Sequence, residues 1–175
     1  MVTATTPSQT TVVIEGIPTD MIVQRFADRI LVIVTQMGKV GTLVRSIARP
    51  RVFVLIMCRQ IEAVIPDVTP LLPPPVSPAN PLDIALPPPP SSIHLTPLLG
   101  NAPSEHLQIL HSLYAAQVAT LVWTSSTEGM MGGTRPAVVV GIALRPAPSA
   151  NGEETLSEHE RRIFQGVMAA IRGLL

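Results

Sequence analysis

Proline sets the layout of this chain before any other residue type is considered. Thirteen of its 19 prolines fall between Pro66 and Pro103, and the stretch 66–92 contains Pro73-Pro74-Pro75 and the run Pro87 to Pro90. Proline lacks a backbone N–H and has a fixed φ, so such a stretch forms neither a helix nor an inner strand. It is expected to be an extended, solvated loop of polyproline character. Loop-closure entropy grows by only ~0.6 kcal/mol per doubling of length, so one domain can carry the loop if ordered strands hold its ends. The 175 residues are read as a single domain, 1–175, with 48–92 as a proline-rich insertion within it.

Ahead of that loop the pattern is β. Thr11 to Glu15 is rich in β-branched residues, and Gly16 and Pro18 interrupt it, which suggests a bulge or bend. Asp20 to Phe26 is semi-alternating. Arg29 to Thr35 is apolar in both registers, with Ile30, Val32 and Val34 facing one way and Leu31 and Ile33 the other. A strand apolar on both faces belongs in the middle of a sheet and is covered twice. Gln36-Met37-Gly38-Lys39 reads as a hairpin turn, from which Val40 to Ile47 returns. Val52 to Met57 is a second β-prone run with no charge, an aggregation hazard that Arg49, Arg51 and Arg59 flank as gatekeepers.

Beyond the loop, Ile93 to Leu99 reads as a strand, and Pro97 puts it at an edge. Ser104 can cap a helix that begins with Glu105 and carries Leu107, Leu110, Leu113 and Tyr114 at helical spacing. Val118 to Thr124 reads as a strand, Thr127 to Thr134 as a flexible hairpin loop, Ala137 to Leu144 as a strand apolar on both faces, and Arg145 to Gly152 as a linker. Ser157 and Glu160 have capping-box spacing ahead of a last helix with Ile163, Phe164, Val167, Met168 and Ile171 on one face. The expected class is α+β, a mainly antiparallel meander with two helices. Two helices leave part of such a sheet uncovered, so a dimer or another protein partner is expected.

Composition narrows the functions. Lys+Arg and Asp+Glu are balanced at 12 each, and there are one Trp, one Tyr and three Phe. That provides neither a basic stripe for phosphates nor a stacking platform for bases, so no nucleic-acid role is expected. The single cysteine, Cys58, fits a reducing compartment. The stretch 1–11 lacks the basic start and apolar run of a secretory signal, and Val52 to Cys58 is far shorter than the ~20 residues of a membrane span. A soluble protein of the cytoplasm, and of the nucleus as a second compartment, is the expectation.

Candidate chemistry is sparse. Gly38-Lys39-Val40-Gly41-Thr42 has strand-like flanks on both sides, whereas a phosphate loop needs G-x-x-x-x-G-K-[ST] between strand and helix. His106 and His111 are five apart, not at the i, i+4 spacing of a helical zinc pair, and Cys58 sits in an apolar run where thiols are inert. No metal, cofactor or catalytic residue is expected, and the chain is read as a non-enzyme. Exposed loop residues on rigid hairpins carry recognition, which makes Gln36, Met37, Gly38 and Lys39 candidate partner contacts. Met130 and Met131, in a Gly-rich loop, join them as adaptable apolar contacts. The alternative is a signalling adaptor that works through the proline loop. That loop has PxxP spacings, but between Pro66 and Ser92 it lacks the basic anchor that SH3-type ligands carry.

The run Leu31 to Val44, LVIVTQMGKVGTLV, resembles the signature of the proteasome assembly chaperone 3 family, an apolar strand leading into T-Q-x-G-K-x-G-T-L-V. Thr35, Gln36, Gly38, Lys39, Gly41, Thr42, Leu43 and Val44 match it, and Ile17-Pro18-Thr19, Phe26 and Leu98-Leu99-Gly100 fall at family positions. Ala48 to Ser92 departs from the family as an extra segment. The resemblance implies a six-stranded, mainly antiparallel sheet with two helices, and a eukaryotic, fungal-type or related, non-catalytic chaperone of 20S proteasome assembly. It would pair with a proteasome assembly chaperone 4-like protein or with itself, bind proteasome α subunits, promote ordered α-ring formation and leave before the particle matures.

Overall fold

The computed structural model describes residues 6–36, 59–75, 84–102, 104–126, 135–145 and 157–175. The first two strands, β1 (Ser8–Ile14) and β2 (Ile17–Arg25), are antiparallel and join through Glu15 and Gly16. Both turn residues have positive φ, 48° and 75°, so the connection is a tight two-residue turn whose twist suits a hairpin. The bulge expected at Gly16 and Pro18 is therefore this turn. Pro18 sits within β2 opposite Val13, beyond the part of β2 that the next strand flanks, a place that tolerates the missing N–H.

That next strand, β3 (Arg29–Thr35), has the expected bounds. The chain continues through β4 (Arg59–Val64), β5 (His94–Leu99), α1 (Glu105–Ser126), β6 (Ala137–Ala143) and α2 (Glu158–Leu174). The six strands lie in the order β1-β2-β3-β6-β4-β5. Among the described residues the α+β class and the count of six strands and two helices stand, but the sheet is mixed: its central pair, β3 and β6, is parallel, while the other pairs are antiparallel. A parallel pair needs a long crossover, and here β4, β5 and α1 lie within it. As expected, β3 and β6 are central, and β5, with Pro97, is an edge.

Two expectations fail. Val118 to Thr124 is not a strand; it is the second half of α1, a 22-residue helix. Every residue of α1 from Tyr114 to Trp123 is buried, so burial overrides the strand preference of Val118, Thr120 and Val122. Its hydroxyls return to the helix backbone: Thr120 Oγ1 donates to the Ala116 carbonyl at 2.7 Å and Ser126 Oγ to the Val122 carbonyl at 2.8 Å. Second, the described parts of the proline segment are irregular and 66–75 is mostly exposed, as expected, but its second part, 84–92, is not freely solvated. Leu71 and Leu86 pack against the core, Pro87 and Pro90 are buried, and Gln117 Nε2 donates to the Pro87 carbonyl at 2.9 Å. Arg135 ties in its first part, with Nη1 donating to the Thr69 carbonyl at 2.6 Å and the backbone N–H to Asp67 Oδ1 at 2.8 Å.

The strand expected over Val40 to Ile47, the run Val52 to Met57, and residues 76–83, 127–134 and 146–156 lie outside the described residues. α2 opens on the expected capping box: Ser157 Oγ accepts from the Glu160 N–H at 3.2 Å, and the Ser157 N–H donates to Glu160 Oε2 at 2.9 Å. Both helices pack on one face of the sheet. Met21, Val23, Ile30, Val32, Val34, Ile61, Val138, Val140 and Ile142 meet α1 and α2 residues in a single core.

Candidate functional site

Strand alternation decides what the other face presents. The helix-facing residues of β3 are Ile30, Val32 and Val34, so Leu31, Ile33 and Thr35 point away from the helices. The register places Ile22 beside Ile33 on β2, and Val139, Gly141 and Ala143 beside Leu31, Ile33 and Thr35 on β6. The middle of this face is apolar: Ile22, Leu31 and Ile33 are half-buried, and Val139 and Ala143 are buried. Polar side chains surround it: Asp20 and Gln24 from β2, Gln60 and Glu62 from β4, and Thr11, whose hydroxyl donates to Asp20 Oδ1 at 2.7 Å. Among the described residues, no helix packs on this face. An apolar centre inside a polar rim is the usual make-up of a protein-binding surface.

Of the candidate contacts, only Gln36 is among the described residues; Met37, Gly38, Lys39, Met130 and Met131 are not. Gln36 is turned inward and only 5% exposed. Its Nε2 donates to Thr19 Oγ1 at 3.2 Å, its Oε1 accepts the Arg145 N–H at 3.1 Å, and its own N–H bonds the Ala143 carbonyl at 3.0 Å. The side chain thereby braces β2, β3 and the exit of β6 against one another, and it presents no free group to a partner.

A second feature lies on the helix side, where β3 and β6 end. There the helices leave a cleft lined by Leu107, His111 and Tyr114 of α1, Glu160 and Ile163 of α2, and Leu144-Arg145 after β6. It holds about 370 Å³ of empty space, counting the solvent at its mouth. Glu160 is engaged at its edge, with Oε1 2.8 Å from His106 Nε2 and Oε2 on Ser157. Burial raises the Glu160 pKa, but the bonds from His106 and Ser157 outweigh it and keep the carboxyl below the usual glutamate range. His111 is buried, and that burial, followed by the charge of Arg59, pulls its pKa down to about 4. Burial, with Glu160 adding to it, pushes the Tyr114 phenol well above its ordinary value, so Tyr114 stays a neutral O–H donor.

Arg59 is the residue the sequence misplaced. Read there as a flanking gatekeeper, it is 6% exposed at the start of β4, opposite Ile142. Among the described residues, no three His, Cys, Asp or Glu side chains converge on a metal position, and no helix is long and apolar enough to cross a membrane. No family model and no curated protein matches the chain.

Proposed function

We propose that this chain is a non-catalytic protein-binding subunit that acts as a chaperone of 20S proteasome assembly, in the manner of proteasome assembly chaperone 3. The observation that carries the binding half of this reading is the sheet face with an apolar centre, a polar rim and, among the described residues, no helix against it. The assembly half rests on the resemblance of Leu31 to Val44 to the family signature. Six strands and two helices are the element count that the resemblance implies, and the parallel β3–β6 pair is where the fold departs from the expected antiparallel sheet. The half-buried part of this face, Ile22, Leu31 and Ile33, would seat a related small chaperone or a second copy. Met37, Gly38, Lys39, Met130 and Met131 would contact a proteasome α subunit. The work would be done by matching shape and register, with contacts that form before the ring closes and release afterwards, in the cytoplasm and nucleus.

The adaptor reading is weaker. Pro87 and Pro90 are buried and the Pro87 carbonyl is taken by Gln117, so this part of the segment is committed to the fold rather than offered as a ligand. Affinity purification of the tagged chain at native level is the test. The chaperone reading expects a small partner protein and free α subunits, without mature proteasome. Recovery of mature proteasome alone, or of neither partner nor α subunits, overturns it.

A further inference from the structure

The sheet ends in two strands of opposite character. β5, at one end, carries Pro97 and a break in its register with β4 between Gln60 and Ile61, two of the devices that keep an edge from pairing with another chain. β1, at the other end, has neither. Its seven residues, Ser8 to Ile14, hold no proline and no charge, and their pairing with β2 is unbroken. Gln9, Thr11 and Val13 are exposed, Val13 by 70%. Among the described residues no strand pairs with the outer side of β1.

The turn at Glu15-Gly16 decides which backbone groups face outward. A two-residue turn closes on a hydrogen-bonded pair, here Ile14 with Ile17, so the bonded positions alternate back along β1 through Val12 and Thr10 to Ser8. The N–H and C=O groups of Gln9, Thr11 and Val13 therefore point away from β2, and Pro7, next in that series, has no N–H. The helix side of the strand is graded. Ile14 is buried against Gly166 of α2, Val12 and Thr10 are half-buried, and Ser8 is exposed. His159 and Arg162 of α2 also meet Glu15, just past Ile14. α2 thus covers the Ile14 end of β1 and leaves the Ser8 end open.

We propose that this edge pairs with β1 of a second copy, antiparallel and two-fold about Thr11. In that register Thr11 meets Thr11 and Gln9 meets Val13, so every outward N–H finds an outward carbonyl. Sliding by two residues brings in Pro7 or the turn residue Glu15 and shortens the ladder. The outward groups all belong to residues of one face, so both copies carry their helices on the same side. The grading of β1 then becomes complementary. Each open Ser8 end lies beside the other copy's covered Ile14 end, and the two α2 helices sit at opposite ends of the seam without colliding. A strand that meets its own copy doubles any charge it carries, and β1 carries none. Thr–Thr and β-branched neighbours are favourable cross-strand pairs. The outer strands of the dimer are the two protected β5 edges, so association stops at two. This surface is separate from the open face around Ile33 and does not depend on the chaperone reading.

The test uses the full chain, with sedimentation velocity over a concentration series. Ile33→Glu removes whatever association the open face supports, and the dimer that remains is the one built on the edge. In that background Thr11→Lys should weaken the dimer by about tenfold or more, because like charges meet at the two-fold. Mixing Thr11→Lys with Thr11→Glu chains should restore it. Asp20→Ala, which removes the Thr11–Asp20 hydrogen bond without charging the edge, should leave it unchanged. Ile33→Glu chains that are monomeric throughout, or a dimer indifferent to Thr11→Lys, overturn the proposal. Amide hydrogen exchange on the native chain needs no substitution. The N–H groups of Gln9, Thr11 and Val13 should gain protection as concentration rises, since in a lone chain they face water. Amides that exchange fast at every concentration overturn the proposal. Protection that appears only when purified proteasome α subunits are added assigns the edge to a foreign strand and overturns the second copy.

Discussion

His111 shows how a single buried side chain makes the whole fold answer to pH. Its pKa near 4 in the folded chain is below the ordinary histidine value of 6.5 because the interior disfavours imidazolium. Above pH 6.5 both folded and unfolded chains carry it neutral, and it contributes nothing to pH dependence. As pH falls from 6.5 towards 4 the unfolded chain takes up the proton first, so stability is lost across that window, by about 3 kcal/mol in all. Urea unfolding of wild type and His111→Gln at pH 7, 6 and 5 should show a steeper decline for wild type; parallel curves would refute the assignment. Gly166 poses a steric problem of the same size. A Cβ placed there would sit 2.9 Å from Ile14 Cγ2, and the β-branched Ile14 has little freedom to turn aside. Gly166→Ala gains helix propensity but overpacks the α2–β1 contact, and a net loss of about 1 kcal/mol is expected. In an Ile14→Ala background the same substitution should become neutral or stabilising, and a double-mutant cycle measures the difference.

At the scale of elements, α1 is the long helix that local pattern divided in two. Its first half shows apolar spacing with polar residues between, but from Tyr114 to Trp123 it is buried all round, and that leaves no helical period to read. Val118, Thr120 and Val122 then mimic a strand. β4 was missed for the opposite reason. Ile61 and Ala63 face the core while Gln60 and Glu62 face out, a clean alternation overshadowed by the more apolar run just before it. By contrast, β3, β5 and the capped start of α2 were legible, because a doubly apolar run, an edge proline and a Ser-x-x-Glu cap each carry a local physical signature. Pairing partners carry none, so the parallel alignment of β3 with β6 could not be read locally. The same limit hid the inward turn of Gln36 and the burial of Arg59, which depend on what the fold brings beside them. Ala115 and Ala119, both fully buried one turn apart, let α1 lie close to the sheet. Ala119→Leu should force that contact apart and cost about 1–3 kcal/mol in chemical denaturation, whereas the exposed Gln108→Leu should cost little.

For the whole molecule, the asymmetry between the two faces of the sheet governs behaviour. One face is sealed by helices, and the other presents Ile22, Leu31 and Ile33 half-buried. Placing a charge in the middle of that face should disrupt association far more than folding, since central, desolvated contacts dominate interface energies. Ile33→Glu is expected to weaken binding of the partner or second copy at least tenfold by sedimentation or calorimetry while secondary structure is retained. Unchanged association would move the interface elsewhere.

The parallel central pair has one more consequence, and it concerns the order in which the chain becomes a protein. β6 lies between two groups of strands, β1-β2-β3 on one side and β4-β5 on the other, and among the described residues it is the strand that joins them. Its register partner at Arg29 is about a hundred residues upstream. While a ribosome is still short of Ala137, the two groups can each form hairpins but share no ladder, and β3 and β4 each keep an unpaired edge. Such edges are the sites where chains pair with the wrong neighbour. β6 is therefore the keystone of this arch: the span stands only once the last stone is in, and every nascent chain passes through a period when both halves stand alone.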